Sequence, residues 1–292
     1  MHPAPSVIVF TSISGLGFGL FMWLGLGFPS FTGMAAFGVY FMAYALSVGG
    51  LLSSVLHLAN KKNAIYAFSQ WQTSWLSREG ILSVIALFTF APMAIAQIFF
   101  ASDSLNWLGP IGSALALITV FSTSMIYAQL KTIPRWHMPL TPVLYLTYAI
   151  AGGALLSMQA KVAGVLLIVV LALQWAYWTM GDKRLAETGS DKGTATGLGS
   201  IGKVRMFESA HTARNYILDE MFFTVGRKHS QKLRMISTVL IGVVPVLMLL
   251  LLPVSMPMAI AALLIHVAGV LTSRWLFFAE AEHVVSLYYS RG

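Results

Sequence analysis

The sequence predicts an all-α integral membrane protein, a bundle of eight transmembrane helices with both termini in the cytoplasm. Three observations predict it. Of 292 residues, 57% are hydrophobic and only 10% charged, with a mean hydropathy of +0.77; a soluble domain carries about 25% charged residues. Apolar runs recur along the chain, each close to the ~20 residues that cross ~30 Å of hydrocarbon. Lys and Arg gather in alternate connections, the signature of cytoplasmic loops.

The runs lie at roughly 5–27, 34–58, 80–101, 108–130, 141–159, 162–180, 236–253 and 257–279. Pro29, Asp103, Pro139 and Pro253 fall between them, where turn residues belong. The division of the fifth from the sixth rests on Gln159 and Lys161 alone. The chain reads as a single membrane-anchor domain over 1–292, with 181–235 as its one long loop. The first part of that loop is rich in Gly, Ser and Thr and reads as a linker. In the second part, Tyr216, Ile217, Met221 and Phe222 recur at helical spacing beside charged residues. That pattern suits a helix lying in the headgroups or one docking a soluble partner. The N-terminal MHPAPSVIVF has neither a basic n-region nor an A-x-A cleavage site and is read as the mature start.

An even span count puts both termini on one side. Of the eighteen Lys and Arg, all but Lys161 and Arg274 then fall on that side, which predicts that it faces the cytoplasm. The net charge of +8 is accordingly topogenic, and no nucleic-acid partner is implied. The absence of cysteine excludes disulfides, thiolate metal sites and an iron–sulfur cluster held by this chain alone. There is no P-loop, GxGxxG, HExxH or G-x-S-x-G motif.

The chemistry gathers in the connection from His57 to Glu79, a basic, aromatic stretch between two apolar runs. Haem is one reading. Of seven histidines, only His57 and His266 fall within spans. His266 is about thirteen residues, ~20 Å, from the charged face, so the pair does not match in depth. No haem is expected, and His266 is read as a helix–helix hydrogen-bonding group. A second reading is a quinone site at the membrane edge. His57 can bond a quinone carbonyl and relay protons, Glu79 can carry protons, and Arg78 can hold that carboxylate or orient a carbonyl. Ser77, Tyr127, Arg135 and Trp136 can add hydrogen bonds or a ring face. A plainer reading is also open. Ser77-Arg78-Glu79 is an acceptable helix start with Ser77 as N-cap, and the tryptophans suit an interface belt. The second motif, 125–145, turns at Ile133-Pro134 and carries a basic knob of Lys131, Arg135 and His137. With Lys61 and Lys62 it forms a candidate docking surface for a partner. No metal ligand set is predicted.

At these two loops the chain resembles the dimethyl sulfoxide reductase anchor family (DmsC-type). The resemblance rests on LHL at 56–58, on the AFSQWQTSWLSRE run ending in Glu79, and on Tyr127, Thr132, Pro134 and Trp136 followed by Thr141-Pro142. It implies an eight-helix anchor for a molybdopterin catalytic subunit and a ferredoxin-like iron–sulfur subunit, with those cofactors in the partners only. It also implies quinol or quinone binding, ubiquinone or menaquinone, at positions matching His57 and Glu79, which would form the proton path. The long loop and the FFAEAEHVVSLYY tail look more like the SoeC-type branch, which anchors cytoplasmic sulfite dehydrogenase. The expected function is then passage of electrons from sulfite oxidation on the partners into the quinone pool of a bacterial inner membrane. The rival within the family is a DMSO-type reductase oxidising quinol. The rival from another class is a small-solute transporter, although opposed charges on broken helices at mid-depth are missing from the sequence.

Overall fold

The computed structural model describes residues 2–56, 61–205, 207–208 and 229–288, with only the backbone for 61–64. Among them there is no strand. Seven helices are long and apolar enough to cross a membrane: α1 Pro5–Gly25, α2 Gly33–Val55, α3 Trp75–Phe99, α4 Leu108–Ala128, α6 Ala160–Glu187, α7 Ser230–Leu251 and α8 Met256–Ala279. Between α4 and α6 lies α5, Leu140–Leu156, apolar but of only 17 residues. At ~1.5 Å per residue it is ~26 Å long, at the short end of what spans hydrocarbon. The expected count of eight therefore turns on α5.

Three boundaries differ from the sequence reading. Helix α3 begins at Trp75, so Ser77, Arg78 and Glu79 lie inside it and Ser77 is not its cap. The cap position is Ser74, in extended conformation, and the Arg78 amide donates to the Ser74 carbonyl at 3.1 Å to close the first turn. Helix α6 runs on to Glu187 and α7 starts at Ser230, so the long connection is 188–229 rather than 181–235. Polar residues do not stop a helix whose backbone bonds continue; they only move it out of the hydrocarbon. Of the expected amphipathic helix, 209–228 lies outside the described residues, and its end, Ser230–Arg234, forms the first turn of α7.

Helix α1 is the hub, packed against α2, α4, α5 and α8. Apolar residues gain little by leaving lipid, so helices in a membrane associate through close backbone contact at small residues. Gly19 of α1 lies directly against Ala149 and Gly153 of α5, and Gly25 lies against Gly109 of α4, with no room for a side chain at either. Two turns depart from α geometry. Phe10–Ser14 in α1 and Val239–Val243 in α7 are π-helical.

Candidate functional site

Glu79, in the second turn of α3, is only 2% exposed. Its carboxylate Oε1 accepts a hydrogen bond from the Thr123 hydroxyl on α4. The same hydroxyl lies 3.1 Å from the Thr119 carbonyl. This geometry serves both protonation states. An ionised Glu79 accepts from Thr123; a protonated one can donate to Thr123 Oγ1 while the threonine hydrogen turns to Thr119. The pair sits where α3 begins and α4 ends, with Trp75 edge-on to Phe121 at 5.9 Å.

The residues flanking Glu79 do not join it. Neighbours on a helix point to different faces. Arg78 turns outward to the preceding loop, donating from Nε to the Trp71 carbonyl at 2.9 Å and from Nη2 to the Gln72 carbonyl at 2.6 Å. Its guanidinium also lies 4.4 Å from the Trp75 ring centroid. It does not hold the Glu79 carboxylate. Ser77 is buried. His57 lies outside the described residues, as do the side chains of Lys61 and Lys62, whose backbone opens the 3₁₀ helix Lys61–Phe68. Phe68 of that helix packs over Gly80. The connection shows an apolar surface in Leu56, Ile65, Tyr66, Phe68 and Trp71.

Tyr127 and Trp136 are buried together. The Trp136 ring stacks on Phe277 at 5.2 Å, its Nε1–H donates to the Phe277 carbonyl at 2.9 Å, and Tyr127 meets it edge-on. Trp136 therefore anchors the 129–139 turn to α8 and offers no free ring face. Arg135 is committed as well. It reaches Asp182 of α6 at 2.5 Å and Glu280 after α8 at 3.4 Å, while Arg234 of α7 reaches Asp182 at 2.6 Å and Glu280 at 2.7 Å. This alternating quartet ties four segments at the charged end of the bundle. His137 bonds the Ala128 carbonyl through Nδ1 at 2.6 Å, and its own carbonyl accepts from Arg184. Lys131 is exposed.

Behind Thr123 lies a cavity of about 10 Å³, whose lining includes Ser12, Thr123, Tyr145, Tyr148, His266 and Arg274. Arg274 is 4% exposed, and its guanidinium lies 3.6 Å from the Tyr145 ring centroid. Among the described residues no carboxylate comes within ion-pair distance of it. Glu79 and Arg274 both lie within electrostatic reach of Tyr127 and Tyr145. The sequence reading names Glu79 as a candidate from its place at a span end but does not name Thr123, Tyr145 or Arg274. Arg274 carried a signal, an ionisable group well inside an apolar run. Thr123 is one of many hydroxyls in α4 and carried none. His266 bonds the Ile241 carbonyl of α7 at 2.7 Å, the helix–helix role expected of it.

Comparison with known proteins gives the chain its relatives. The family described as DMSO reductase anchor subunit (DmsC) matches residues 1–279. A sulfite dehydrogenase subunit of Allochromatium vinosum is 30% identical, over 99% of this chain and 99% of that protein. No solved structure matches. The chain belongs to the DMSO reductase anchor family, and with its apolar helices it is a membrane protein.

Proposed function

We propose that this family member is the quinone-reactive anchor of a molybdopterin and iron–sulfur oxidoreductase, passing electrons from sulfite oxidation on its partner subunits to the quinone pool. The observation that carries the reading is Glu79, a buried carboxyl with a hydroxyl able to serve both its protonation states, placed at the charged end of the bundle. Reduction of a quinone takes two electrons and two protons, so its site needs such a group within a turn or two of water. The likeness to a subunit of a sulfite dehydrogenase favours sulfite over a DMSO-type substrate.

The cavity behind Glu79 is too small for a ring, so the quinone head belongs on the other side, between the start of α3, the 56–74 connection and the lipid. There Glu79 and His57 hold or move protons at its carbonyl oxygens. The apolar surface of Leu56, Ile65, Tyr66, Phe68 and Trp71 suits the edge of that slot or the iron–sulfur partner above it. Molybdopterin and clusters reside in the partners, and Lys61, Lys62 and Lys131 dock them. The membrane is the bacterial inner membrane, and the charge asymmetry favours a cytoplasmic docking face. The Arg135–Asp182 contact supports eight spans. If α6 crosses, its first residues lie opposite Asp182, and α5 must cross for Arg135 to return beside it.

The test is turnover of the purified complex. Glu79→Gln and His57→Ala are expected to lower quinone reduction by about 10²-fold or more, while sulfite oxidation with an artificial electron acceptor stays at the parental rate. Parental quinone kinetics in both variants would refute the assignment.

A further inference from the structure

The cavity between α1, α4, α5 and α8 holds an unusual set of atoms. Ser12 Oγ, Tyr145 Oη, His266 Nε2 and Arg274 Nε are all buried, all belong to residues lining it, and none has a hydrogen-bond partner among the described residues. Buried polar groups are paired as a rule, and each exception calls for a physical account.

The chemistry of these four atoms selects the occupant. The His266 Nδ1 lies 2.7 Å from the Ile241 carbonyl, which can only accept, so Nδ1 carries the ring hydrogen. In the neutral imidazole Nε2 is then an acceptor, whereas Arg274 Nε–H is a donor and the two hydroxyls are both. An anion would suit Arg274 and be repelled by the Nε2 lone pair. A metal cation would suit Nε2 and be repelled by the guanidinium. An acyl chain would leave all four atoms unpaired. A molecule that donates to Nε2 and accepts from Arg274 satisfies both, and the volume holds about one water.

The backbone is arranged to keep this space. Ser12 sits in the π-helical turn of α1, and Ile241 in that of α7; such turns interrupt the regular ladder and recur at functional sites. Gly152 backs the cavity wall without a side chain, since a Cβ there would collide with Leu16, which lines the cavity beside His266. Thr123, which donates to Glu79, lines the same cavity.

We infer that this cavity is a bound-water site, held by Ser12, Tyr145, His266 and Arg274, that makes His266 and Arg274 positioning residues for the Thr123–Glu79 pair. The role in turnover rests on the quinone reading above; the water site does not. The water accepts from Arg274 Nε–H and donates to His266 Nε2, and its second hydrogen is available to Thr123 Oγ1. Arg274 thereby acts on Glu79 through water and Thr123 rather than by direct pairing.

Two measurements on the full chain in its membrane complex test this. A density map that resolves waters is expected to show one peak about 3 Å from both His266 Nε2 and Arg274 Nε. An ion, a lipid tail or a collapsed cavity there overturns the site. In kinetics, His266→Leu is expected to lower kcat for quinone about tenfold at unchanged KM, and His266→Gln, which keeps an acceptor, restores most of it. Ser12→Ala removes one hydroxyl without filling the space, so it carries the test if His266→Leu does not assemble; its kcat is also expected to fall at unchanged KM. Parental kcat in Ser12→Ala, or in an assembled His266→Leu, overturns the positioning role provided Glu79→Gln lowers turnover as expected. If Glu79→Gln itself turns over normally, it is the quinone reading that fails, and the density map still decides the water site.

Discussion

Glu79 and Thr123 form a unit in which each residue makes the other tolerable. A buried carboxyl deprived of its partner loses a hydrogen bond to a group that can be charged, a loss of ~1–3 kcal/mol or more. Thr123→Val keeps the shape and removes the hydroxyl, leaving Glu79 buried without its donor. Quinone turnover is expected to fall by about tenfold to a hundredfold on that scale, and Thr123→Ser, which retains the hydroxyl, to stay within about threefold of the parent. Steady-state kinetics of the two variants side by side check this, and equal rates would remove Thr123 from the site. Glu79 was legible in the sequence because a carboxylate at the end of an apolar run is costly and hence informative. Its partner was not, because a threonine in a membrane helix most often bonds its own helix backbone, as Thr147 and Thr272 do here. Arg78 misled for the converse reason. Adjacency in sequence suggested pairing with Glu79, but consecutive helical residues diverge, and the loop carbonyls of Trp71 and Gln72 captured the guanidinium.

Among elements, the informative contacts are those that join helix ends. The quartet of Arg135, Asp182, Arg234 and Glu280 fastens the 129–139 turn, the last turns of α6, the first turn of α7 and the end of α8. Its members are not equivalent. Both carboxylates bond the part-buried Arg135 and the buried Arg234, but the Glu280 side chain is 5% exposed whereas the Asp182 side chain is 42% exposed. Removing one partner of a buried pair costs ~3–5 kcal/mol, because a charge is left uncompensated. A pair open to water is worth up to ~1 kcal/mol. Glu280→Ala is therefore expected to lower the folded yield and thermal stability of the purified chain sharply, and Asp182→Asn only mildly. Thermal unfolding in detergent ranks the two, and the reverse order would refute the burial argument. Helix positions were legible from hydropathy, since lipid leaves little choice of where apolar runs lie. The ends were not. Hydropathy marks where hydrocarbon stops, and α3 and α6 continue past that line at Trp75–Glu79 and Gly181–Glu187, where the site and the quartet lie.

For the whole molecule, one face collects the charge and the chemistry. Arg135, Asp182, Arg184, Arg234 and Glu280 meet there, the tail reaches back to the turn through the Val284 amide and the Thr132 carbonyl at 2.9 Å, and Glu79 lies just beneath. The far end holds an uncharged chain from Tyr40 through Gln97 to Asn106 that closes on Asp103. Such asymmetry orients a membrane protein with its Lys- and Arg-rich face inside. Fluorescent-protein fusions, which mature in the cytoplasm, are expected to glow when placed at the C-terminus or in the 131–139 turn. Alkaline phosphatase fusions, active only outside, are expected to be active after Gln159. The last position is the discriminating one. Residues 157–159 separate α5 from α6, so an active phosphatase there means that the 17-residue α5 crosses. An inactive one would leave α5 as a re-entrant segment, and α6 would then have to end opposite the 129–139 turn. That outcome cannot coexist with Arg135 lying 2.5 Å from Asp182, so a single fusion tests the span count and the ion quartet together.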